Sequence, residues 1–455
     1  MSVHMEEKSM DLLRSRSEPY KAKKLWWVRT KEIFRLKLNQ FPLVGVPAIR
    51  VMRAIKWLLL KCKWEFVTLT RTCGGKDCVD INKVCWVSPQ MITYCSLQEF
   101  NVFDFKGRVL SGNWDFLQNK FEDLDIFVAL KQVCIEGKSW PETIFYQRIR
   151  DRISRGEILW NCNDEHDFNQ RCRDLEILYE KIRDEGYKSQ RDILQSLGVY
   201  DPLKVEEEIT VSIGRDGDLL FSDGAHRLSI AKLLDIQKVP IKIAVRHPKW
   251  VNFRRELYLY AKDQKDGKIY QALTHPDLLD IPAFHNCDDR YTMISKNVSA
   301  NGGRLLDIGA NLGYFCHRFE DEGFDCYAVE DYPTNLYFLK KLKRAENKKF
   351  NIIGQSILEC SQIRNIHFSV TLALNIFHHF LKTKESYQKF IDLLENLRTE
   401  ELFFEPHLTG EVQMKDAYRD YTPDEFVKFI LQVSRLENAE FIGEAKDGRK
   451  LYKLY

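Results

Sequence analysis

The last third of the chain repeats one pattern, in which a short apolar run is followed by a longer amphipathic segment. The apolar runs predict five strands, at 304–308, 325–329, 350–353, 368–374 and 401–405. Strands that alternate with helices form a parallel sheet with helices on both faces. Two last runs, 440–442 and 450–454, flank Asp447-Gly448 and predict a terminal hairpin. This end of the chain is therefore predicted to be an α/β domain.

The middle of the chain predicts a smaller α+β module. Residues 208–213 alternate like a strand, and 219–221 return after a turn rich in Gly and Asp. A helix is predicted to run from there to about Leu234, followed by a strand over 239–245. Upstream, helical periodicity over 172–184 predicts a helix that Gly186 ends.

These patterns divide the chain into five regions. We predict a basic amphipathic segment (1–64), a mixed α-rich region of unassigned role (65–200), the α+β module (201–250), a linker (251–288) and the C-terminal α/β domain (289–455).

A tight glycine turn follows the first predicted strand of the C-terminal domain. Gly309 and Gly313 leave no Cβ in the way of a nucleotide-like ligand. About twenty residues later a second short strand ends in Glu330, and a carboxylate at that point is placed to bind ribose hydroxyls. A dinucleotide dehydrogenase would need three glycines as G-x-G-x-x-G, and Ala310-Asn311 interrupts that spacing.

Two motifs in this domain resemble those of the class I S-adenosylmethionine-dependent methyltransferases. They are Asp-Ile-Gly-Ala-Asn-Leu-Gly-Tyr-Phe at 307–315 and Ala-Leu-Asn-Ile-Phe-His-His-Phe at 373–380, and the resemblance covers about 289–455. It implies a Rossmann-like, seven-stranded methyltransferase domain that binds S-adenosylmethionine. It also implies a terminal antiparallel strand, in agreement with the predicted hairpin.

The resemblance implies a role for each position that matches the family. Asp307 and the amides of 309–313, including Asn311, would face the methionine moiety, and Glu330 would bind the ribose. Asp331 and Tyr332 would border the adenine, where Gln355 replaces the usual acid. The pocket walls would be Tyr314, Phe315 and Phe377, and Asn375 would lie beside the methyl-transfer point.

Histidines follow Asn375 at the edge where ligands collect in an open sheet. His378 is a candidate general base, and the alternative is that it caps or packs the helix that begins there. His379 is a weaker candidate, since adjacent helical residues point about 100° apart. Glu405 and His407 end the fifth strand, where they either orient the methyl acceptor or are solvated loop residues.

The α+β module carries Asp223-Gly224-Ala225-His226-Arg227 between a hairpin and a helix. This wording resembles the ParB/sulfiredoxin-like fold, which implies a nucleotide or phosphate ligand. Free amides at a helix N-terminus together with Arg227 form an anion site, and His226 is a candidate acid or base near neutral pH. The alternative is that Asp223 caps the helix and Arg227 pairs with an acid. Sulfiredoxin chemistry is disfavoured, because no cysteine accompanies the glycine.

Charge is distributed unevenly. Residues 1–63 contain 15 Lys and Arg against 5 Asp and Glu, a net of +10, whereas the whole chain carries +3. Within this head, 25–64 combines cations and apolar residues at helical spacing, which predicts either contact with an anionic membrane surface or a helix packed on the protein. The apolar run 41–49 is too short to span a bilayer, and 1–20 lacks an apolar signal core.

The 12 cysteines show no regular framework, so we expect them to be reduced and the protein to be cytoplasmic, with or without peripheral membrane contact. Cys73 and Cys78 are spaced C-x4-C without a second pair, and we therefore predict no metal site.

Three functions are compatible with these features. The first is methyl transfer to an oxygen or nitrogen of a small molecule, sugar or glycan intermediate, with the ParB-like module binding a phosphate or nucleotide. The second is a nucleic-acid-binding protein or nucleic-acid methyltransferase, which is less favoured because the chain after the head is slightly acidic and the Asn-Pro-Pro-Tyr motif is absent. The third is a ParB-like kinase or nucleotidase fused to a methyltransferase.

Overall fold

The structure is a computed structural model that describes residues 77, 79–81, 83–96, 105–116, 119–160, 162–198 and 208–455. The chain divides into two compact units. The first comprises 1–75 and 190–207, and the part of it that is described contains one helix, Gln190–Ser196. The predicted amphipathic segment 25–64 and the Cys73–Cys78 pair lie outside the described residues. The second unit comprises 76–189 and 208–455.

Helices account for most of the described residues between 120 and 200. With Gln190–Ser196 counted as α4, the helices are α1 (Asp125–Cys134), α2 (Ile144–Ser154), α3 (Glu165–Glu185), α5 (Ala225–Leu233), α6 (Pro248–Asp263), α7 (Asp288–Asn297), α8 (Tyr314–Asp321), α9 (Pro333–Ala345), α10 (Lys384–Asn396) and α11 (Pro423–Val433). The helix predicted over 172–184 is α3, which begins earlier because the Asp164 carboxylate accepts a hydrogen bond from the Asp167 amide. It ends at Gly186, as predicted, with φ +77°.

The second unit contains two main sheets and one small one. Its strands are β1 (Val84–Val87), β2 (Tyr94–Cys95), β3 (Arg108–Val109), β4 (Ile209–Ile213), β5 (Leu219–Asp223), β6 (Val239–Arg246), β7 (Ile269–Gln271), β8 (Ala283–His285), β9 (Gly303–Ile308), β10 (Phe324–Val329), β11 (Asn351–Ile353), β12 (His367–Leu374), β13 (Arg398–Glu405), β14 (Ala439–Glu444) and β15 (Lys450–Leu454). No described helix is long and apolar enough to cross a membrane.

The first sheet has the order β1-β6-β4-β5-β2, with β3 also paired to β6. The hairpin β4–β5 and strand β6 are the elements predicted for the α+β module. Strands β1, β2 and β3 come from the region that the sequence suggested was α-rich. Two of these three strands are only two residues long, so they are too short to show an alternating pattern.

The second sheet has the order β11-β10-β9-β12-β13-β15-β14. Strands β9 to β13 are parallel to one another, and β15 runs antiparallel to β13. This is the Rossmann-like, seven-stranded methyltransferase fold that the sequence predicted. All five predicted strands and the terminal hairpin are present. The strand order reverses between β9 and β12, which is where an open α/β sheet binds its ligands.

The first sheet shares its hydrophobic core with helix α9 of the C-terminal domain. Trp250 on α6 and Phe338 on α9 belong to the same buried cluster as the strands of the first sheet. The β4–β5 turn packs so closely on these helices that a Cβ at Gly217 would lie 2.5 Å from both Ala345 and Trp250. The stretch 251–288, predicted as a linker, contains most of α6 together with the parallel pair β7–β8. It therefore forms part of the packed unit.

Candidate functional site

The glycine turn after β9 is shaped by positive backbone angles. Gly309, Asn311 and Gly313 have φ values of +75°, +53° and +86°. A Cβ on Gly309 would lie 2.8 Å from Ile376, and one on Gly313 would lie 2.5 Å from Leu339. Because neither place has room for a side chain, the turn lies against the end of β12 on one side and against α9 on the other.

The backbone amides of this turn are used within the protein. The amides of Gly309 and Ala310 donate to the carbonyl of Val329 at 3.0 and 2.9 Å. The amide of Asn311 donates to Glu330 at 2.8 Å. These three donors, which we predicted to face a methionine moiety, have partners within the protein, and the turn provides a close backbone surface.

Glu330 ends β10 and is oriented by both neighbouring turns. Its carboxylate accepts hydrogen bonds from the amides of Asn311 and Tyr332, and from the Asn335 side chain at 3.4 Å. Burial raises the pKa of Glu330. A carboxylate has about four acceptor positions, so three bonds leave it capacity for a further donor.

Asp307 lies beneath the turn, enclosed by α8. It is 2% exposed, and its carboxylate lies 3.7 Å from the Cys316 thiol. Burial raises the pKa of Asp307 to about 7. The side chain therefore faces the α8 side of β9, and its predicted role toward the methionine moiety stays a prediction.

The aromatic residues that we expected to wall the pocket are core residues. Tyr314 and Phe315 belong to a buried cluster with Ile294 of α7, and the Tyr314 hydroxyl donates to Asp288 at 2.5 Å. Phe377 is buried in a second cluster. On the adenine side the predicted residues are exposed at the ends of β10 and β11; they are Asp331, Tyr332 and Gln355.

Asn375 connects the ends of β12 and β13. The backbone amide of Asn375 donates to the backbone carbonyl of Glu405 at 2.9 Å, and the φ angle of Asn375 is +53°. Its side-chain Nδ2 donates to the hydroxyl of Tyr270 at 3.0 Å. The Oδ1 atoms of Asn375 and Asn311 are buried and have no hydrogen-bond partner among the described residues. Buried carbonyl oxygens without partners are uncommon and indicate a position where a donor belongs.

Two buried histidines follow the ends of β12 and β13. His378 and His407 are 2% and 1% exposed, and their ring centroids are 5.8 Å apart. Burial, together with nearby His379, His407 and Lys382, lowers the pKa of His378 to about 3. His378 is therefore neutral at physiological pH and does not store a proton. His407 pairs through Nε2 with the Asp420 carboxylate at 2.9 Å. His379, which follows His378 in the chain, is exposed.

A buried charge network supports the end of β13. Arg290 on α7 donates to Glu405 at 2.5 and 3.2 Å and to Asp447 at 2.7 Å. Arg449 also pairs with Asp447, and His285 lies 3.3 Å from it. Burial alone would lower the pKa of Arg290, but the hydrogen bonds that its guanidinium donates to the two carboxylates raise the pKa overall, so the guanidinium stays charged.

Several of these residues were missed by the sequence analysis. Tyr270 lies 105 positions before Asn375 and was assigned to a linker. Arg290 lies on α7, and nothing in its spacing indicates that its partner is Glu405. Asp420 lies in the segment after β13, where no periodicity distinguishes it from a solvated acid.

The Asp223–Arg227 motif is brought together at the start of α5. Gly224 has φ +93° and caps the helix, and the Asp223 carboxylate accepts only from the adjacent Gly224 amide among the described contacts. Arg227 pairs with Glu208 at 3.3 Å, which matches the structural alternative. Burial and two nearby arginines lower the pKa of His226 to about 4, below the neutral range that we predicted for it. No group of three His, Cys, Asp or Glu side chains among the described residues converges as a metal site.

Comparisons with known proteins give weak matches. No protein-family model and no curated protein sequence matches the chain. The bifunctional kinase-methyltransferase WbdD is 18% identical over 44% of this chain and 45% of that one, with a TM-score of 0.37. The chain spans 45–48% of the length of three WbdD structures.

Two smaller methyltransferase structures are also similar. The methyltransferase domain of bacterial CtHen1 is 14% identical over 37% of this chain and 98% of that one, with a TM-score of 0.30. An S-adenosylmethionine-dependent methyltransferase from Archaeoglobus fulgidus is 14% identical over 36% and 90%, with a TM-score of 0.29. Similarities of this size do not assign a function, and the methyltransferase fold is established by the strand order described above.

Proposed function

We propose that the chain is an S-adenosylmethionine-dependent methyltransferase that acts on an oxygen or nitrogen of a small molecule, sugar or glycan intermediate. One observation carries the proposal. The glycine turn, Glu330 and Asn375 meet at the point where the strand order of the second sheet reverses. An open α/β sheet binds nucleotide-like ligands at this crevice.

The residues at this crevice fit the cofactor. Glu330 retains acceptor capacity for ribose hydroxyls, in a carboxylate already oriented by two backbone amides. The buried Oδ1 atoms of Asn311 and Asn375 lack donors, and the cofactor carries an amino group and hydroxyls that supply them. Gly309 has no side chain, so the turn packs directly against Ile376 on the same edge.

The bound cofactor would supply a methyl group that its sulfonium has already activated. The protein then has two tasks: placing the acceptor in line with that methyl group and removing a proton. Asn375 is held by Tyr270 and by the end of β13, so its side chain is preorganised for the first task. His378, three positions after Asn375, is the candidate for the second task.

Exposed aromatic rings beside the crevice favour an acceptor with a hydroxylated ring. Tyr270 on β7 and Phe284 on β8 are 40% and 49% exposed. The parallel register pairs Ile269 with Ala283 and Gln271 with His285, so the two aromatic residues occupy matching positions on one face. Aromatic faces beside polar groups suit sugar rings, which present C–H bonds on one side and hydroxyls at the edge.

Calorimetric titration with S-adenosylmethionine tests the proposal directly. We expect the wild-type protein to bind it and Glu330→Ala to bind it far more weakly. Losing one hydrogen bond to a charged group costs roughly 1.5–3 kcal/mol, which corresponds to a Kd about 10- to 150-fold higher. Glu330→Gln keeps one carbonyl acceptor, so its Kd should lie between those of the wild type and Glu330→Ala.

The matched control is Glu395→Ala. Glu395 is an exposed acid on α10 that makes no hydrogen bond or ion pair with the other described residues, so its loss should leave binding unchanged. A well-folded wild-type protein that does not bind S-adenosylmethionine would exclude the proposal. Once binding is established, methyl transfer should be assayed with sugars and with oligonucleotides as acceptors. The acceptor class that is methylated separates the glycan hypothesis from the nucleic-acid alternative.

A phosphate or nucleotide ligand at Asp223–Arg227 is a second candidate function. It is favoured by the buried Nε2 atom of His226, which has no partner in the described part of the chain and lies at the start of α5. Titration with ATP and with inorganic phosphate tests it, and Asp223→Ala should abolish any nucleotide turnover. Binding that is unchanged by substitution at His226 and Asp223 would exclude this site.

A further inference from the structure

A cleft of about 220 Å³ lies where the β4–β5 turn meets helices α6 and α9. Six residues from three separate parts of the chain line it: Arg215, Asp216, Lys249, Trp250, Phe253 and Lys341. Lys341 is about two helical turns along α9 from Pro333, where the helix leaves the crevice of the second sheet. The cleft is therefore separate from that crevice.

Arg215 is held in one orientation by a buried carboxylate. Its Nε and Nη2 atoms donate to Asp115 at 2.9 and 2.7 Å, and its guanidinium lies 4.8 Å from the centroid of the Phe116 ring. Burial would raise the pKa of Asp115, but the hydrogen bonds from Arg215 lower the pKa overall, so the carboxylate stays charged. Nη1 of Arg215 has no hydrogen-bond partner among the described residues, which leaves one side of a preorganised guanidinium available to an anion.

Two ammonium groups in the cleft lack counter-ions. Lys249 and Lys341 are exposed, and neither forms an ion pair within the described part of the chain. Lys249 also lies in the first turn of α6, a helix of 16 residues whose N-terminus carries partial positive charge. The carboxylate in the lining, Asp216, is already paired with Arg344 at 2.6 Å, and Arg344 also attracts the neighbouring Asp218. Positive charge therefore remains in the cleft.

We propose that this cleft binds a phosphate group, either as free phosphate or as part of a small phosphate ester. Guanidinium and ammonium groups bind phosphate oxygens through charge-assisted hydrogen bonds, and an arginine with a fixed plane presents its donors without further ordering. The buried rings of Trp250 and Phe253 form the apolar wall of the cleft. Its volume is below the about 300–1,000 Å³ of sites for drug-sized ligands, which favours a small ligand over a nucleoside triphosphate.

The cleft is distinct from the Asp223–Arg227 motif. Arg215 precedes β5 and Asp223 is its last residue, so the two positions lie at opposite ends of a strand that spans roughly 13 Å. The two candidate sites can therefore be tested separately. The cleft also binds its ligand without any contribution from the crevice of the second sheet, so the proposal goes beyond the methyltransferase function and does not depend on it.

Calorimetric titration of the full chain in a phosphate-free buffer tests the proposal with inorganic phosphate, glucose 1-phosphate and glucose. We expect both phosphates to bind and glucose not to bind. Lys249→Ala/Lys341→Ala should raise the Kd for both phosphates at least about tenfold, because two charge-assisted hydrogen bonds are lost. Both lysines are exposed, so the double variant should keep its fold. The matched control, Lys262→Ala/Lys340→Ala, removes the same charge from exposed positions of α6 and α9 outside the cleft and should leave the Kd nearly unchanged.

Three results would overturn the proposal. One is a folded wild-type protein that binds neither phosphate. Another is an equal loss of binding in the two double variants, which would mean that surface charge alone attracts the anion. The third is loss of phosphate binding in Asp223→Ala, which would place the anion at the start of α5. Tighter binding of glucose 1-phosphate than of inorganic phosphate identifies an ester as the ligand, equal binding identifies free phosphate, and both support the cleft. None of these titrations contains S-adenosylmethionine, so their failure leaves the methyltransferase function untouched.

Discussion

Removing Arg290 should destabilise the protein through the charges that it leaves behind. Arg290 is 5% exposed and links Glu405, which is 2% exposed, to Asp447. In Arg290→Met, Asp447 keeps its pair with Arg449 at 2.7 Å. Glu405 loses the one ion pair that it makes within the described part of the chain. The variant therefore isolates the cost of one buried, unpaired carboxylate.

The expected loss of stability in Arg290→Met is the cost of leaving Glu405 buried and unpaired. Breaking a buried pair by removing one partner costs about 3–5 kcal/mol, because the remaining charge is desolvated without compensation. Removing that charge as well, in Arg290→Met/Glu405→Gln, should recover about 1–3 kcal/mol of the loss. The stability of Arg290→Lys should lie between those of the wild type and Arg290→Met. An ammonium keeps the positive charge but lacks the planar guanidinium that bridges the two carboxylates.

Urea denaturation followed by circular dichroism measures these differences as changes in the free energy of unfolding. The control is Arg304→Met on the exposed start of β9, which should change it by less than about 0.5 kcal/mol. Burial raises the pKa of Glu405. Because the unpaired carboxyl takes up a proton more readily as the pH falls, the deficit of Arg290→Met should shrink toward acidic pH.

Two outcomes would contradict this reasoning. If Arg290→Met loses no more free energy of unfolding than Arg304→Met, the network does not stabilise the protein as expected. If the double variant is less stable than Arg290→Met, the cost does not come from the unpaired charge of Glu405.

Two further predictions concern the glycine turn. Gly313→Ala should lower the free energy of unfolding, measured by urea denaturation, by roughly 2–5 kcal/mol, since a positive φ costs about 1–2 kcal/mol and crowding against Leu339 about 1–3 kcal/mol. The control is Gly323→Ala, which has φ +92° and no atom within 4 Å of the added Cβ, and it should show the backbone cost alone. Because the pKa of Asp307 is raised to about 7, its contribution to stability is fully present below the unfolded-state pKa near 4 and is lost as the pH rises through 7. Asp307→Asn should therefore flatten the fall in stability between pH 4 and 7, and an unchanged pH profile would show that this carboxyl is ionised in the folded protein.

The sequence by itself determined the elements of the C-terminal domain. Apolar runs, glycines at positive φ and the spacing between them are local signals, and each strand of the second sheet is long enough to show them. The terminal hairpin around Asp447-Gly448 was predicted for the same reason. Strands β2 and β3, with two residues each, carry no such signal and exist only because longer strands are there to pair with them.

The tertiary structure decided which of the polar residues meet. Parallel strands bring their carboxyl ends to one edge whatever the distance along the chain. In this way Tyr270 contacts Asn375, Arg290 contacts Glu405, and a loop returns Asp420 to His407. Burial likewise decided that Tyr314 and Phe315 are core residues and that Asp307 faces α8. Periodicity reports which face of an element is apolar, but the partner across that face depends on sheet order, and no local pattern records it.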